Sequence, residues 1–150
     1  MPSRFSRLVL ASALACSLAG AALAEEHVVE MLNTDGEGKR MLFKPDFLKV
    51  AVGDTVKFVP KEKPHNAEAI PELWPEGAAP FQGALNEEAT LKIEKPGIYG
   101  IKCMPHYGMG MIAMIVAGDE LPNKGQLDTY KPKGKESIKR FDGFKTQVGQ

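Results

Sequence analysis

Between residues 27 and 116 the chain alternates apolar and polar positions in short runs closed by Gly, Pro or Asp. No stretch there keeps the three-to-four spacing of a long amphipathic helix. His27–Leu32 is the first such run, with Val28, Glu30 and Leu32 on one face and His27, Val29 and Met31 on the other. Met41–Phe43 and Phe47–Val52 follow a turn-rich segment, Asn33–Gly38, and Gly53-Asp54 turns the chain into Thr55–Pro60, where Val56 and Phe58 share a face. Five prolines from Pro60 to Pro80 make residues 61–89 mostly loop, with room for one helical turn. Alternation resumes at Thr90–Glu94, and Pro96-Gly97 leads into Ile98–Cys103, with Tyr99, Ile101 and Cys103 on one face and Lys102 on the other. Met111–Val116 is almost wholly apolar and predicts a strand buried on both faces. Many short strands with regular turn signals predict a β-sandwich or barrel.

From Asp119 onward the period changes. Ile138, Phe141, Phe144 and Val148 lie three to four apart and predict a helix covering an end or side of the sandwich. Gly143 interrupts that helix at a cost of about 1 kcal/mol relative to Ala.

Composition narrows the functional classes. The chain has 150 residues, 43% hydrophobic and 25% charged, which suits one globular domain. Its 19 basic and 19 acidic side chains argue against a nucleic-acid binder or a polybasic membrane-surface protein, either of which needs an excess of one sign. Arg4 and Arg7 precede an uncharged stretch, Leu8–Ala24, that ends Ala22-Leu23-Ala24 before Glu25-Glu26. A basic start, an apolar middle and an A-x-A end predict a secretory leader, residues 1–24, cleaved after Ala24. The exported domain is then residues 25–150, with the sandwich over about 27–116 and a helical extension over about 119–150. A retained membrane anchor is the alternative, but the stretch contains Ser12, Ser17 and Gly20 and is short of the roughly 20 apolar residues a span needs. Lipidation of Cys16 after Ala13-Leu14-Ala15 is a third reading, weakened by Ala where Leu is usual. The two arginines are separated, so the leader is not of the twin-arginine type and the chain crosses unfolded, acquiring any metal after export.

Losing Arg4 and Arg7 leaves 17 basic against 19 acidic groups, while residues 124–150 carry seven basic and three acidic ones. It also leaves Cys103 as the sole cysteine. A single thiol cannot staple the fold, so in an oxidising compartment it must be buried, reactive or bound to something.

Cys103 opens the run Cys103-Met104-Pro105-His106-Tyr107-Gly108-Met109-Gly110-Met111, a C-x2-H-x4-M motif between two predicted strands. A thiolate, an imidazole and a thioether thus converge in nine residues, and His65, on the loop after Thr55–Pro60, offers a second imidazole. Two His, one Cys and a weak axial Met form the trigonal site that binds copper and transfers electrons. Sulfur donors favour Cu(I) and imidazole suits both oxidation states, so such a site changes little when an electron moves. Zinc is the main competitor, although its sites rarely use Met. A Cys–His catalytic pair would need an orienting third group and a cleft, and a buried structural cysteine near a surface histidine is the plainest alternative.

With that motif in place the sequence resembles the cupredoxins, and among them the pseudoazurin family. The resemblance rests on His65-Asn66 and the whole Cys103–Met111 run. It extends through Met31-Leu32-Asn33, Phe43-Lys44-Pro45, Gly53-Asp54-Thr55-Val56, Asn86-Glu87 and Tyr99-Gly100. Plastocyanin-like proteins share the motif spacing but end soon after the last strand, whereas 39 residues follow Met111 here. The resemblance implies an all-β, Greek-key sandwich of cupredoxin type with two short C-terminal α-helices. It implies His65, Cys103 and His106 as strong copper ligands and Met111 as the long axial one, with one ion per chain cycling between Cu(I) and Cu(II). It assigns the Asn66 backbone N–H to the cysteine sulfur and the Asn66 side chain to tying the ligand loops, although Asn is also an ordinary turn residue. Pro105, lacking an N–H, withholds a second donor from the sulfur. Met41 is placed against the His106 imidazole, or is simply a core methionine.

For function the resemblance implies a monomeric periplasmic electron carrier rather than an enzyme, passing single electrons from c-type cytochromes to copper nitrite reductase. His106 is the expected exit, framed by Pro105, Tyr107 and Met109, with Lys63 and Lys102 in a steering ring of charge. A copper storage or delivery protein is the alternative class. It is disfavoured because Met and His gather in one closed motif rather than an open cluster. The sequence departs from the family's pattern at the longer Asp35–Arg40 turn, at Trp74, and at Gly125, Gly134 and Gly143 in the tail.

Overall fold

The computed structural model describes residues 23–149, so the predicted leader lies outside the described residues except for Leu23 and Ala24. Eight strands follow in order: β1 (Glu26–Thr34), β2 (Arg40–Lys44), β3 (Phe47–Val50), β4 (Thr55–Pro60), β5 (Glu68–Ala69), β6 (Ala89–Lys92), β7 (Gly97–Lys102) and β8 (Ile112–Ala117). They form two four-stranded sheets, one ordered β2-β1-β4-β6 and the other β3-β8-β7-β5. β1 runs parallel to β4 and β3 parallel to β8, while the remaining neighbours are antiparallel. The fold is therefore the predicted all-β sandwich, with the chain crossing repeatedly between its sheets.

Alternation decides which face enters the core. In β1, Val29 and Met31 are completely buried while Val28 stands 49% exposed, so the face carrying His27, Val29 and Met31 points inward. Val56 and Phe58 of β4 meet them, and the Phe58 ring lies edge-on to Phe43 with centroids 5.8 Å apart. From the opposite sheet Tyr99, Ile101, Ala113, Ile115 and Ala117 close this core, which also takes in Cys103 and Met111.

The second sheet is buried on its outer side as well. Ile98, Ile112, Met114 and Val116 pack there against Ile70 and Leu73 from a 3-10 turn at Pro71–Leu73, and against Leu127, Tyr130, Phe141 and Phe144 from the C-terminal segment. This second layer explains why β8 reads as continuously apolar: all six of its residues are buried. The C-terminal segment holds α1 (Gln126–Thr129) and α2 (Lys135–Val148), the two helices the resemblance implies. α2 runs through Gly143 without a break. The predicted apolar stripe needs one correction. Phe141 and Phe144 are buried, but Ile138 is 47% exposed and Ser137 takes the inward position, because that turn of the helix faces the loop before β8 rather than the sheet.

Boundaries shift by one or two residues from the sequence reading, and one element goes unread. The two-residue β5 sits inside the proline-rich stretch and pairs Glu68 with Lys102 and Ala69 with Ile101. Nearby, the Gly100 carbonyl accepts the Ile70 N–H at 2.8 Å, drawing the Pro71–Leu73 turn onto β7. A Cβ added at Gly100 would lie 2.7 Å from Leu73 Cβ. Gly100→Ala should therefore force this contact apart and destabilise the fold by about 1–3 kcal/mol, the usual cost of overpacking, measured as a fall in the denaturant midpoint.

Candidate metal centre

The loop from Cys103 to Met111 is a short 3-10 helix, Met104–Met109, rather than an open hairpin turn. Cys103 leaves β7 in extended conformation and Gly110 ends the helix at φ +93°, a left-handed geometry that suits glycine. The cysteine N–H donates to the Met111 carbonyl at 3.0 Å and the Met111 N–H to the His106 carbonyl at 3.2 Å, which closes the loop on itself. Cys103 and Met111 are wholly buried, while His106 is partly exposed.

His65 arrives from the other side through β5. The pairing of β5 with β7 brings the preceding residues His65 and Asn66 beside Cys103. Asn86, at φ +65°, fixes the histidine backbone from both directions: its N–H donates to the His65 carbonyl at 2.7 Å and its Oδ1 accepts the His65 N–H at 3.2 Å. The similarity to the family at Asn86 thus has a physical content, a reciprocal pair that holds a ligand in place.

The result is a triangle of donors. Cys103 Sγ lies 3.8 Å from His65 Nδ1 and 3.6 Å from His106 Nδ1, and the two nitrogens are 3.2 Å apart. A circle through points with those edges has a radius of about 2 Å, the bond length of a first-row metal ion to imidazole or thiolate. Burial, and then the nearby His106, lower the His65 pKa, which favours the neutral, metal-binding ring. Burial pushes the Cys103 thiol up, partly offset by hydrogen bonding from the Asn66 and His106 backbone, so the thiolate here requires a cation against it. The buried His65 Nε2 has no hydrogen-bond partner among the described residues. The donor set therefore fits copper: two nitrogens and a sulfur at bonding radius, with a buried thioether-bearing residue next in the same core and no carboxylate among the clustered ligand atoms.

Around the triangle, the Asn66 side chain bonds across the two ligand loops. Its Oδ1 accepts the Met104 N–H at 2.8 Å, and its Nδ2 donates to the Gly83 carbonyl at 3.3 Å and to Glu68 Oε2 at 3.1 Å. Glu68 in turn pairs with Lys102 at 3.5 Å, and the Lys102 ammonium sits 5.6 Å from the Tyr107 ring centroid. Lys102 is thus half-buried and already partnered, whereas Lys63 is exposed. Tyr107 is also only partly exposed, its hydroxyl bonded to that of Tyr130. Pro105 and Met109 are exposed, and so is Met104, which the motif gives no role. Met41 lies at the edge of the core that holds Cys103 and Met111, in a left-handed conformation at φ +47°.

Sequence reasoning missed the role of α2, which holds the ligand loop by its backbone. The Ser137 hydroxyl donates to the Tyr107 carbonyl at 2.5 Å. The Arg140 guanidinium donates to the carbonyls of Gly110 at 2.5 Å, Met41 at 2.9 Å and Arg40 at 2.9 Å. Gly134, at φ +88°, lets the helix start so close to Gly108 that a Cβ would collide with its carbonyl. No spacing rule announces a contact between residues thirty or a hundred positions apart.

Sandwich and donor triangle together define a type 1 copper protein of cupredoxin architecture. The family of copper binding proteins, plastocyanin/azurin family, matches residues 29–118. The pseudoazurin of Paracoccus pantotrophus is 42% identical over 141 residues, 94% of this chain and 96% of its own length. In structure, the native pseudoazurin from Hyphomicrobium denitrificans superposes with a TM-score of 0.78 at 49% identity, covering 83% of this chain and 99% of that one. The pseudoazurin from Methylobacterium extorquens AM1 gives 0.77 at 39% identity, covering 82% and 98%. The chain belongs to the pseudoazurins, non-enzymatic blue copper proteins, and its copper site is His65, Cys103, His106 and Met111.

Arg140→Ala should loosen the loop without touching a ligand. It removes three hydrogen bonds from a charged donor, each worth about 1.5–3 kcal/mol when buried and less where exposed. The expected outcome is a lower melting temperature together with a changed visible spectrum, read by calorimetry and absorption on the copper-loaded protein.

Proposed function

We propose that this protein shuttles single electrons in the periplasm, from a c-type cytochrome to a copper nitrite reductase, with His106 as the port. The observation that carries the reading is the setting of His106. Of the donor residues it alone reaches the surface, and exposed Met104 and Met109, at 63% and 50%, flank it together with Pro105. A small apolar rim lets a partner come close and exclude water, and a limited interface suits a carrier that must release quickly. When bound, copper supplies a one-electron couple; the residues hold its donors rigid so that little rearranges when the electron moves.

Within this reading Met111 is the weak axial donor, Asn66 holds the two ligand loops in register and turns its N–H to the sulfur, and Met41 packs beside the ligand loop. Lys63 contributes to steering by its free charge, and Lys102 less so because Glu68 neutralises it in place. The leader, cleaved after Ala24, directs export, and the mature chain is a soluble monomer without a membrane anchor.

The copper-loaded protein should absorb intensely in the visible region through thiolate-to-copper charge transfer, bleach reversibly on reduction and bind one ion per chain. Several ions per chain, or a colourless copper form, would favour storage or delivery instead. Pro105→Ala restores an N–H near the sulfur, and its expected effect is a higher reduction potential by voltammetry, because a hydrogen bond to sulfur stabilises the electron-rich reduced state. The second-order rate of nitrite reductase reduction should fall as ionic strength rises, with Lys63→Ala reducing the low-salt rate more than Lys102→Ala. A salt-independent rate would remove steering from the account.

A further inference from the structure

At the pole of the sandwich where the described chain begins, Asp54 is 5% exposed and its carboxylate draws in three donors. Oδ2 accepts the Ala51 N–H and faces His27 Nε2, each at 2.9 Å, and Oδ1 accepts the backbone nitrogen of Glu25 at 2.9 Å. Glu25 is pinned a second time by its carbonyl, which takes the Thr55 N–H at 2.9 Å, and the ladder of β1 starts at the next residue, where Glu26 pairs with Thr55. Leu23 is 91% exposed and Ala24 is exposed, so among the described residues the chain's first backbone bonds to the sandwich are those of Glu25.

We propose that Asp54 is a preformed receptor for the amino terminus created when the leader is cut after Ala24. The inference rests on the leader reading above. Hydrolysis of the Ala24–Glu25 peptide bond consumes one water, leaves a carboxylate on Ala24 and turns the Glu25 amide into an α-ammonium at the same position. An amide gives the Asp54 carboxylate one hydrogen bond and no charge; the ammonium gives three donors and a full positive charge. A carboxylate has about four lone-pair sites, of which three are occupied here, so there is room for a second bond from the new terminus. The Glu25 nitrogen already stands 2.9 Å from Oδ1, the separation of an ammonium–carboxylate bond, so the new terminus adds its charge without moving. The other titratable side chains lining this groove are His27, which bonds Asp54, and Glu25, Lys49 and Asp119. The Asp54 carboxyl is held down to about 2, first by the Glu25 backbone and then by His27, so it is ionised wherever the fold is tested.

The sign of the pH dependence is set by the amine. An amine whose pKa rises on folding stabilises the fold below its unfolded value of about 8, and the gain is lost as pH climbs through the folded value. The test compares copper-loaded, reduced protein of residues 25–150 with the same protein acetylated at Glu25 and with a form beginning at Ala24. The N-terminus of the exported chain is read by mass spectrometry. The expected results are a Glu25 terminus, an α-amine pKa raised by about one unit or more above the ordinary value by nitrogen NMR, and a melting temperature at pH 7 above both blocked forms. That advantage should vanish at alkaline pH and in Asp54→Asn. A terminus elsewhere overturns the leader reading and this proposal with it. A Glu25 terminus with an ordinary pKa and no melting advantage over the acetylated form overturns the docking alone.

Discussion

A thiolate in an apolar interior is stable only with a positive charge against it, because desolvation penalises the charged form and no water remains to compensate. Cys103 is fully buried between the sheets, and its neighbours in the core are aliphatic and aromatic side chains. The rest of the structure follows from having to keep that sulfur ready for an ion. Two imidazole nitrogens are brought within 3.8 Å of it, one from its own loop and one from the segment before β5, and each histidine has both its backbone N–H and its carbonyl hydrogen-bonded. Cys103, His65 and Met111 are wholly buried, so a copper ion held there would be shielded by the core on their side and reach the surface only through His106. Rigidity here is electrostatic in origin as much as steric.

The network beyond the donors shows how that rigidity is built. Asn66 bonds to Met104 across the two ligand loops and to Glu68 on β5, and Glu68 pairs with Lys102 at the end of β7. Each partner satisfies the next, so the polar groups near the copper site are accommodated without opening it to solvent. Lys102 is the last member of this network, its charge balanced in place by Glu68.

What could be read from the sequence was what depends on local period and local chemistry. Strand β4 was legible to the residue because Val56 and Phe58 alternate cleanly between Gly-Asp and proline, and β8 because a continuous apolar run is the mark of a strand buried twice. The copper ligands in the Cys103–Met111 run were legible because a thiolate, an imidazole and a thioether gathered in nine residues suit a soft metal and little else. The element that brings His65 to them was not: β5 is two residues long, lies among prolines and has no period to detect. Ile138 was assigned to the buried stripe of α2 on spacing alone, which cannot know that Ser137 has a carbonyl to meet on the ligand loop. Asn86 and Arg140 were invisible as parts of the site for the same reason, since each acts on backbone atoms distant in sequence.

The contacts of α2 with the loop share one property: Ser137 and Arg140 address main-chain carbonyls, and Gly134 makes way for main chain at Gly108. Main-chain groups are the same whatever residue carries them. The helix therefore sets the shape of the loop while leaving the identity of its outward side chains, Met104, Pro105 and Met109, unspecified. Under the proposed docking, partner recognition can then change at those positions with little disturbance to the geometry around the metal, because the shape of the loop and its outward chemistry are written on different atoms of the same nine residues.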